Sequence, residues 1–166
     1  MLPRVYLTIP TPISTKIRLR ACWLWAGDQS VIAESAAAWL WGLVSEPPRI
    51  VTVIVPLAQR RTPQPGIRVV RGVVHPRDAD FQDWIGVTTV ARTCLDLARI
   101  GLPHNLETAL RLRRANVPKL ELSLERGRGR RGQVRARQAF GEASTNPWSV
   151  AERKAHQQLI AAGITG

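Results

Sequence analysis

The stretch WIGVTTVARTCLDLARI, residues 84–100, decides how the chain reads, because the pattern of its apolar residues changes half-way along. Up to Val87 it is a short β-branched and aromatic run, the composition of a strand. At Thr88 or Thr89 a side-chain oxygen can accept from a free helix N–H, so a helix begins there. Val90, Cys94, Leu95, Leu97 and Ala98 then recur on one face, and Gly101 and Pro103 stop the run. Arg92 and Asp96 stand four apart on this helix, the spacing of a surface ion pair contributing about 0.2–0.5 kcal/mol.

Working outward, the sheet lies before this junction and the helices after it. Residues 50–55 and 67–71 are β-branched runs and read as neighbouring strands, joined by a polar stretch longer than a tight hairpin needs. Residues 73–75 and 84–87 extend the same sheet. Ser14 or Thr15 caps a helix to residue 26, with Ile17, Ala21, Leu24 and Trp25 on one side. A second helix, 34–43, turns Ala36, Trp39, Leu40 and Leu43 inward and ends near Gly42. Residues 5–9 read as a strand closed by Pro10. Helices are expected at 105–116, 119–125, 133–143 and 149–162. The fold class is therefore α+β: a small mixed or antiparallel sheet with helices, followed by a helical C-terminal half.

Hydrophobic residues make up 45% of the 166 and charged residues 22%, enough for a globular core. Cys22 and Cys94 sit among apolar residues and read as buried thiols, with no CxxC pair or disulfide framework. The first ten residues lack a basic region followed by an apolar run, and residues 36–44 are too short to span a bilayer. A cytoplasmic protein with no membrane partner is the expectation.

Charge is the unusual quantity. Twenty-four Lys and Arg face twelve Asp and Glu, a net +12 with a pI near 11.5. Between positions 111 and 137, ten cations face only Glu121 and Glu125, so this block carries eight of the twelve excess charges. Arg111, Arg113, Arg114, Arg128, Arg130, Arg131, Arg135 and Arg137 are its candidate nucleic-acid contacts, since a guanidinium fork matches two phosphate oxygens. The bland reading is a solvated helix face and linker.

Other patterns carry less. Gly127, Gly129 and Gly132 match GxGxxG, but a charged helix-like segment precedes them where a dinucleotide site needs a buried strand. His75, His104 and His156 lie in three different segments without ligand spacing, so neither metal nor cofactor is expected. Asp78, Asp80 and Asp83 read as a solvated turn. Ser35 lacks a nucleophile elbow. Of Trp23, Trp25, Trp39 and Trp41, one of each pair should be partly exposed, because residues two apart on a helix cannot share a face.

Several of these segments together resemble the AbiEi-type antitoxin family of abortive-infection, type IV toxin–antitoxin systems in actinobacteria. They are SAAAWLWGL (35–43), VTVIVP (51–56), GVTTVARTCLDLA (86–98) and GRRG (129–132). On this resemblance Trp41, Gly42, Arg92, Thr93 and Asp96 are structural motif positions. It further implies a nucleotidyltransferase-like toxin as partner. Family members usually begin with a DNA-binding winged helix-turn-helix, of which residues 4–7 resemble the closing strand alone. Residues 147–162 resemble the first helix of a Vsr-like nuclease of the PD-(D/E)xK type, with Glu152 at the helix position. No Asp or Glu follows Glu152, so the carboxylates that would hold Mg²⁺ are incomplete.

The chain thus divides into a winged-helix remnant (1–10), an antitoxin-like α+β core (11–127) and a basic linker with helices opening a truncated nuclease-like domain (128–166). The expected function is non-catalytic: a regulatory binding protein that contacts nucleic acid and a toxin. The alternatives are a remnant or split endonuclease and a vestigial fragment. Exposed Trp and sheet edges favour a homodimer.

Overall fold

A computed structural model of the chain describes residues 2–6, 8, 12–62, 64–145 and 158. The expected strand at 5–9 falls partly outside these residues, and the described part is not extended into a sheet. The helix expected at 149–162, with Glu152, lies outside them except for Gln158, which is helical.

The chain runs α1 (Thr15–Ala26), β1 (Val31–Ala33), α2 (Glu34–Leu40), β2 (Val51–Val55), β3 (Ile67–Arg71), a 3₁₀ turn (Pro76–Asp78), β4 (Ala79–Gln82), β5 (Ile85–Thr88), α3 (Val90–Arg99), α4 (His104–Arg111), α5 (Val117–Arg126) and α6 (Gln133–Thr145). The fold is α+β, with the helical layer concentrated after β5. Five strands form one mixed sheet in the order β3-β2-β1-β5-β4.

β2 and β3 are adjacent but parallel, in register from Val51↔Ile67 to Val55↔Arg71. A parallel partner must start again at the same end, so the chain has to travel back along the sheet. That return explains why residues 56–66 are longer than a hairpin loop. β1 sits in the middle, antiparallel to β2 and parallel to β5, with Ile32 opposite both Val53 and Val87. Its three residues, too few to show a period, were not foreseen. Neither was β4, which pairs antiparallel with β5 through a two-residue turn. Asp83 and Trp84 in that turn both take positive φ, 51° and 62°, the geometry that matches the twist of the flanking strands.

α1 and α2 cover one face of the sheet. Leu19, Cys22, Trp25 and Ala26 of α1 pack with Ala36, Ala37 and Leu40 of α2 on Ile32, Val51, Val53, Val55, Ile85 and Val87. The buried stripe of α1 differs from the expected one: Leu24 is exposed and Leu19 and Cys22 take its place. Trp25 is buried, whereas Trp23, Trp39 and Trp41 are half-buried. A second core joins α3 to α4, α5 and α6, with Leu95, Leu97, Leu106, Leu120 and the alanines 136, 139 and 143 of α6.

α2 ends where Gly42 takes φ 65°, with Gly42 N–H donating to Trp39 O and Leu43 N–H to Ala38 O. This paired closure is a Schellman motif, and glycine enters its left-handed position without a Cβ clash. α4 ends in the same way, Arg113 N–H donating to Leu110 O and Arg114 N–H to Ala109 O, but with Arg113 at φ 53°.

Candidate functional site

α3 starts on the cap expected from sequence: Thr89 Oγ1 accepts from the Arg92 N–H at 3.4 Å. One turn further in, Thr93 is fully buried, its hydroxyl 2.7 Å from that of Thr88. Arg92, Asp96 and Arg99 follow on the side of α3 that meets the 3₁₀ turn, α5 and α6. Arg92 Nε donates to Asp96 Oδ2 at 2.6 Å, and Arg99 Nη1 donates to the other Asp96 oxygen. Arg126 of α5 donates from Nε and Nη2 to Asp78 Oδ1 at 3.0 and 2.5 Å. Arg92 Nη1 lies 3.9 Å from Asp78 Oδ2 and makes no hydrogen bond. Arg99 reaches Gln133 Oε1 at 3.2 and 2.9 Å, and Gln133 Nε2 donates to Leu124 O at 2.7 Å.

A ladder of alternating charge thus runs Arg126–Asp78–Arg92–Asp96–Arg99 and ends on Gln133. It corrects two expectations. Arg92 and Asp96 are paired, but at 3% and 9% exposure they are not a surface pair worth tenths of a kcal/mol. Removing one partner of such a buried pair costs about 3–5 kcal/mol, because the other charge is left without water. Asp78 is likewise no solvated turn residue: it is 1% exposed and serves two guanidinium groups. A cation in the first turn of a helix opposes the helix dipole, so Arg92 is held there by its carboxylates. Burial raises the Asp96 carboxyl above the ordinary carboxylate range, while Arg92 and Arg99 pull it back. Burial similarly lowers Arg99, and Asp96 opposes that.

The same ladder accounts for the glycine pattern at 127–132. A Cβ at Gly127 would overlap the Arg99 guanidinium, and one at Gly132 would sit 2.6 Å from the Arg99 carbonyl oxygen. Gly132 also takes φ 78°. These glycines let the backbone pass over Arg99, and no strand leads into them.

The arginine block separates into two groups. Arg126 belongs to the ladder, Arg128 pairs with Glu125 on the surface, and Arg130 donates to the carbonyl of Val73 at 2.8 Å. Arg111, Arg113, Arg114, Arg131, Arg135 and Arg137 are exposed. The first three surround the loop from α4 to α5. That loop borders a shallow cavity of about 560 Å³, with Lys119 beside it. Arg135 and Arg137 lie on the outer side of α6, whose Ala136 and Ala139 face inward. Trp41 is fixed by its Nε1–H on the carbonyl of Thr88 at 2.8 Å. Among the described residues no three His, Cys, Asp or Glu side chains gather where a metal could be held. No helix among them is long and apolar enough to cross a membrane.

The AbiEi antitoxin C-terminal domain matches residues 30–142. The chain belongs to the AbiEi antitoxin family. The matched span opens at β1 and closes within α6, so it holds the whole sheet, the charge ladder and the exposed arginines of the AbiEi domain. α1 precedes the span yet supplies one wall of the core beneath the sheet. No curated protein matches the chain.

Proposed function

We propose that this AbiEi-family chain is a non-catalytic regulatory protein of the antitoxin type, which contacts nucleic acid through its exposed arginines and binds a nucleotidyltransferase-like toxin. The observation that carries the reading is the division of the arginine block within a domain of the antitoxin family. Among the described residues no carboxylate lies within ion-pairing distance of Arg111, Arg113, Arg114, Arg131, Arg135 or Arg137, and all six face solvent, where a phosphate backbone can reach them. Arg128 and Arg130 belong to the same surface, Arg128 in an exposed pair with Glu125 and Arg130 on the Val73 carbonyl.

The test is duplex binding across a salt series, with wild type compared to a variant carrying Arg111→Glu, Arg135→Glu and Arg137→Glu. Wild type should lose affinity steeply as salt rises, because each neutralised phosphate releases a counterion, and the variant should show a flatter slope. No binding at low salt would reject the nucleic-acid half of the reading and leave a toxin as the partner. Mixing with a nucleotidyltransferase-like toxin tests the other half, and the lack of a complex would reject it. A homodimer through the exposed sheet edges β3 and β4 belongs to the same proposal, and a monomeric mass at micromolar concentration would reject it.

A further inference from the structure

A second cavity, about 410 Å³, lies where the end of α2, the 3₁₀ turn, the start of α3 and α5 meet. Its wall includes Trp41, Arg77, Asp80, Arg114, Lys119 and Arg126. We propose that this cavity is a binding site for a free nucleoside polyphosphate, a ligand other than the nucleic acid of the exposed arginine face, with Arg114 bordering both.

Charge is the first argument. Arg126 is matched by Asp78, but among the described residues Arg77, Arg114 and Lys119 have no carboxylate within ion-pairing distance. The one acid on the wall, Asp80, accepts the N–H of Phe81 at 2.8 Å. Arg77, Arg114 and Lys119 therefore line one hollow with a single carboxylate, Asp80, among them, and the wall keeps a surplus of positive charge. Like charges gathered in this way repel, and a multiply charged anion between them relieves the repulsion.

The second argument is shape and chemistry. The volume falls in the range of small-molecule sites, roughly 300–1,000 Å³. Trp41 supplies an aromatic wall whose position is fixed by its bond to Thr88, and an indole face suits a nucleobase. Thr89, the N-cap of α3, and Val90 and Ala91 of its first turn line the same hollow; the Thr89 N–H is given to the Asp78 carbonyl, and Val90 and Ala91 add amide dipoles to the cationic side.

The placement of Arg114 gives a third. It follows Arg113, which holds a left-handed conformation that costs an L-residue about 1–2 kcal/mol. Glycine closes the equivalent end of α2, so the fold has an unstrained solution that α4 does not use.

The experiment is calorimetric titration of the full chain at low ionic strength with ATP, pyrophosphate and adenosine as separate probes. ATP should bind more tightly than either of its parts. Arg77→Glu and Lys119→Glu, both exposed and both expected to melt like wild type, should each weaken ATP by about tenfold or more. Arg135→Glu should leave ATP binding unchanged while weakening duplex DNA. Absence of ATP binding, or wild-type ATP affinity in the two cavity variants, would overturn the proposal. Pyrophosphate binding as tightly as ATP would overturn the assignment of a nucleoside. Because Arg135 reports on DNA and Arg77 on ATP, failure of one reading is distinguishable from failure of the other.

Discussion

Arg92 and Arg99 on α3 are sealed between helices, whereas Arg111, Arg135 and Arg137 on α4 and α6 stand in water. The first pair is 3% and 7% exposed and is matched by Asp96 and Asp78. The second group has no carboxylate partner among the described residues. The same side chain thus works as an internal strut in one layer and as a free charge in the next. Composition cannot distinguish these employments. What distinguishes them is whether a carboxylate arrives from elsewhere in the chain, as Asp78 does for Arg126 across 48 residues.

The largest effect should come from breaking the buried side. Asp96→Ala takes the hydrogen-bonded carboxylate from both Arg92 and Arg99, and Asp78→Ala takes it from Arg126; each should cost about 3–5 kcal/mol, read as a lowered urea midpoint. A loss under 1 kcal/mol would mean that water enters the ladder and that the contrast with the surface arginines is much smaller than drawn. Gly132→Ala comes next. It combines a left-handed backbone with a contact at 2.6 Å to the Arg99 carbonyl, and should cost about 1–3 kcal/mol by the same measurement.

Burial should also appear as chemical silence. The thiol of Cys94, on the buried side of α3, is pushed up to about 12, and that of Cys22 to about 11, in both cases chiefly by desolvation. Both folded values exceed that of an unfolded thiol, about 8.5. The folded state then holds these protons more tightly, so the contribution is complete below about pH 8.5 and is lost as pH rises towards the folded values. A thiol reagent at pH 8 should label the native chain only as fast as it opens, and labelling as fast as a free thiol would contradict the burial. The smallest effects belong to the exposed side. Arg113→Gly should stabilise by about 0.5–1 kcal/mol through relief of its positive φ. Arg135→Ala should change the midpoint by less than about 0.5 kcal/mol.

Much of the layer order was legible because the signals were local. Thr89 announced α3 with its hydroxyl, and the runs at 51–55 and 67–71 announced β2 and β3 with their branched side chains. β1 escaped because three residues carry no periodicity, and its place between β2 and β5 is set entirely by pairing. β4 escaped because Asp78, Asp80 and Asp83 look like a wet turn to any local reading. Asp78 becomes an interior residue only through Arg92 and Arg126. The candidate site was half legible for the same reason. The arginines could be counted along the chain, but their division into paired and free required the helices to be placed, as did the meeting of Arg77 with Arg114 and Lys119.

The three-residue β1 has a further consequence, which concerns the order of events when the chain folds. Val31–Ala33 can pair with β2 once residue 55 has been made, but its other flank waits for Ile85–Thr88, more than fifty positions later. Closing so long a segment is entropically slow, and folding rates fall as such distant contacts accumulate. The middle of the sheet is therefore completed only after about half of the chain has been made, and the junction at 84–100 that opens the helical layer is also the piece that locks the strands before it into place.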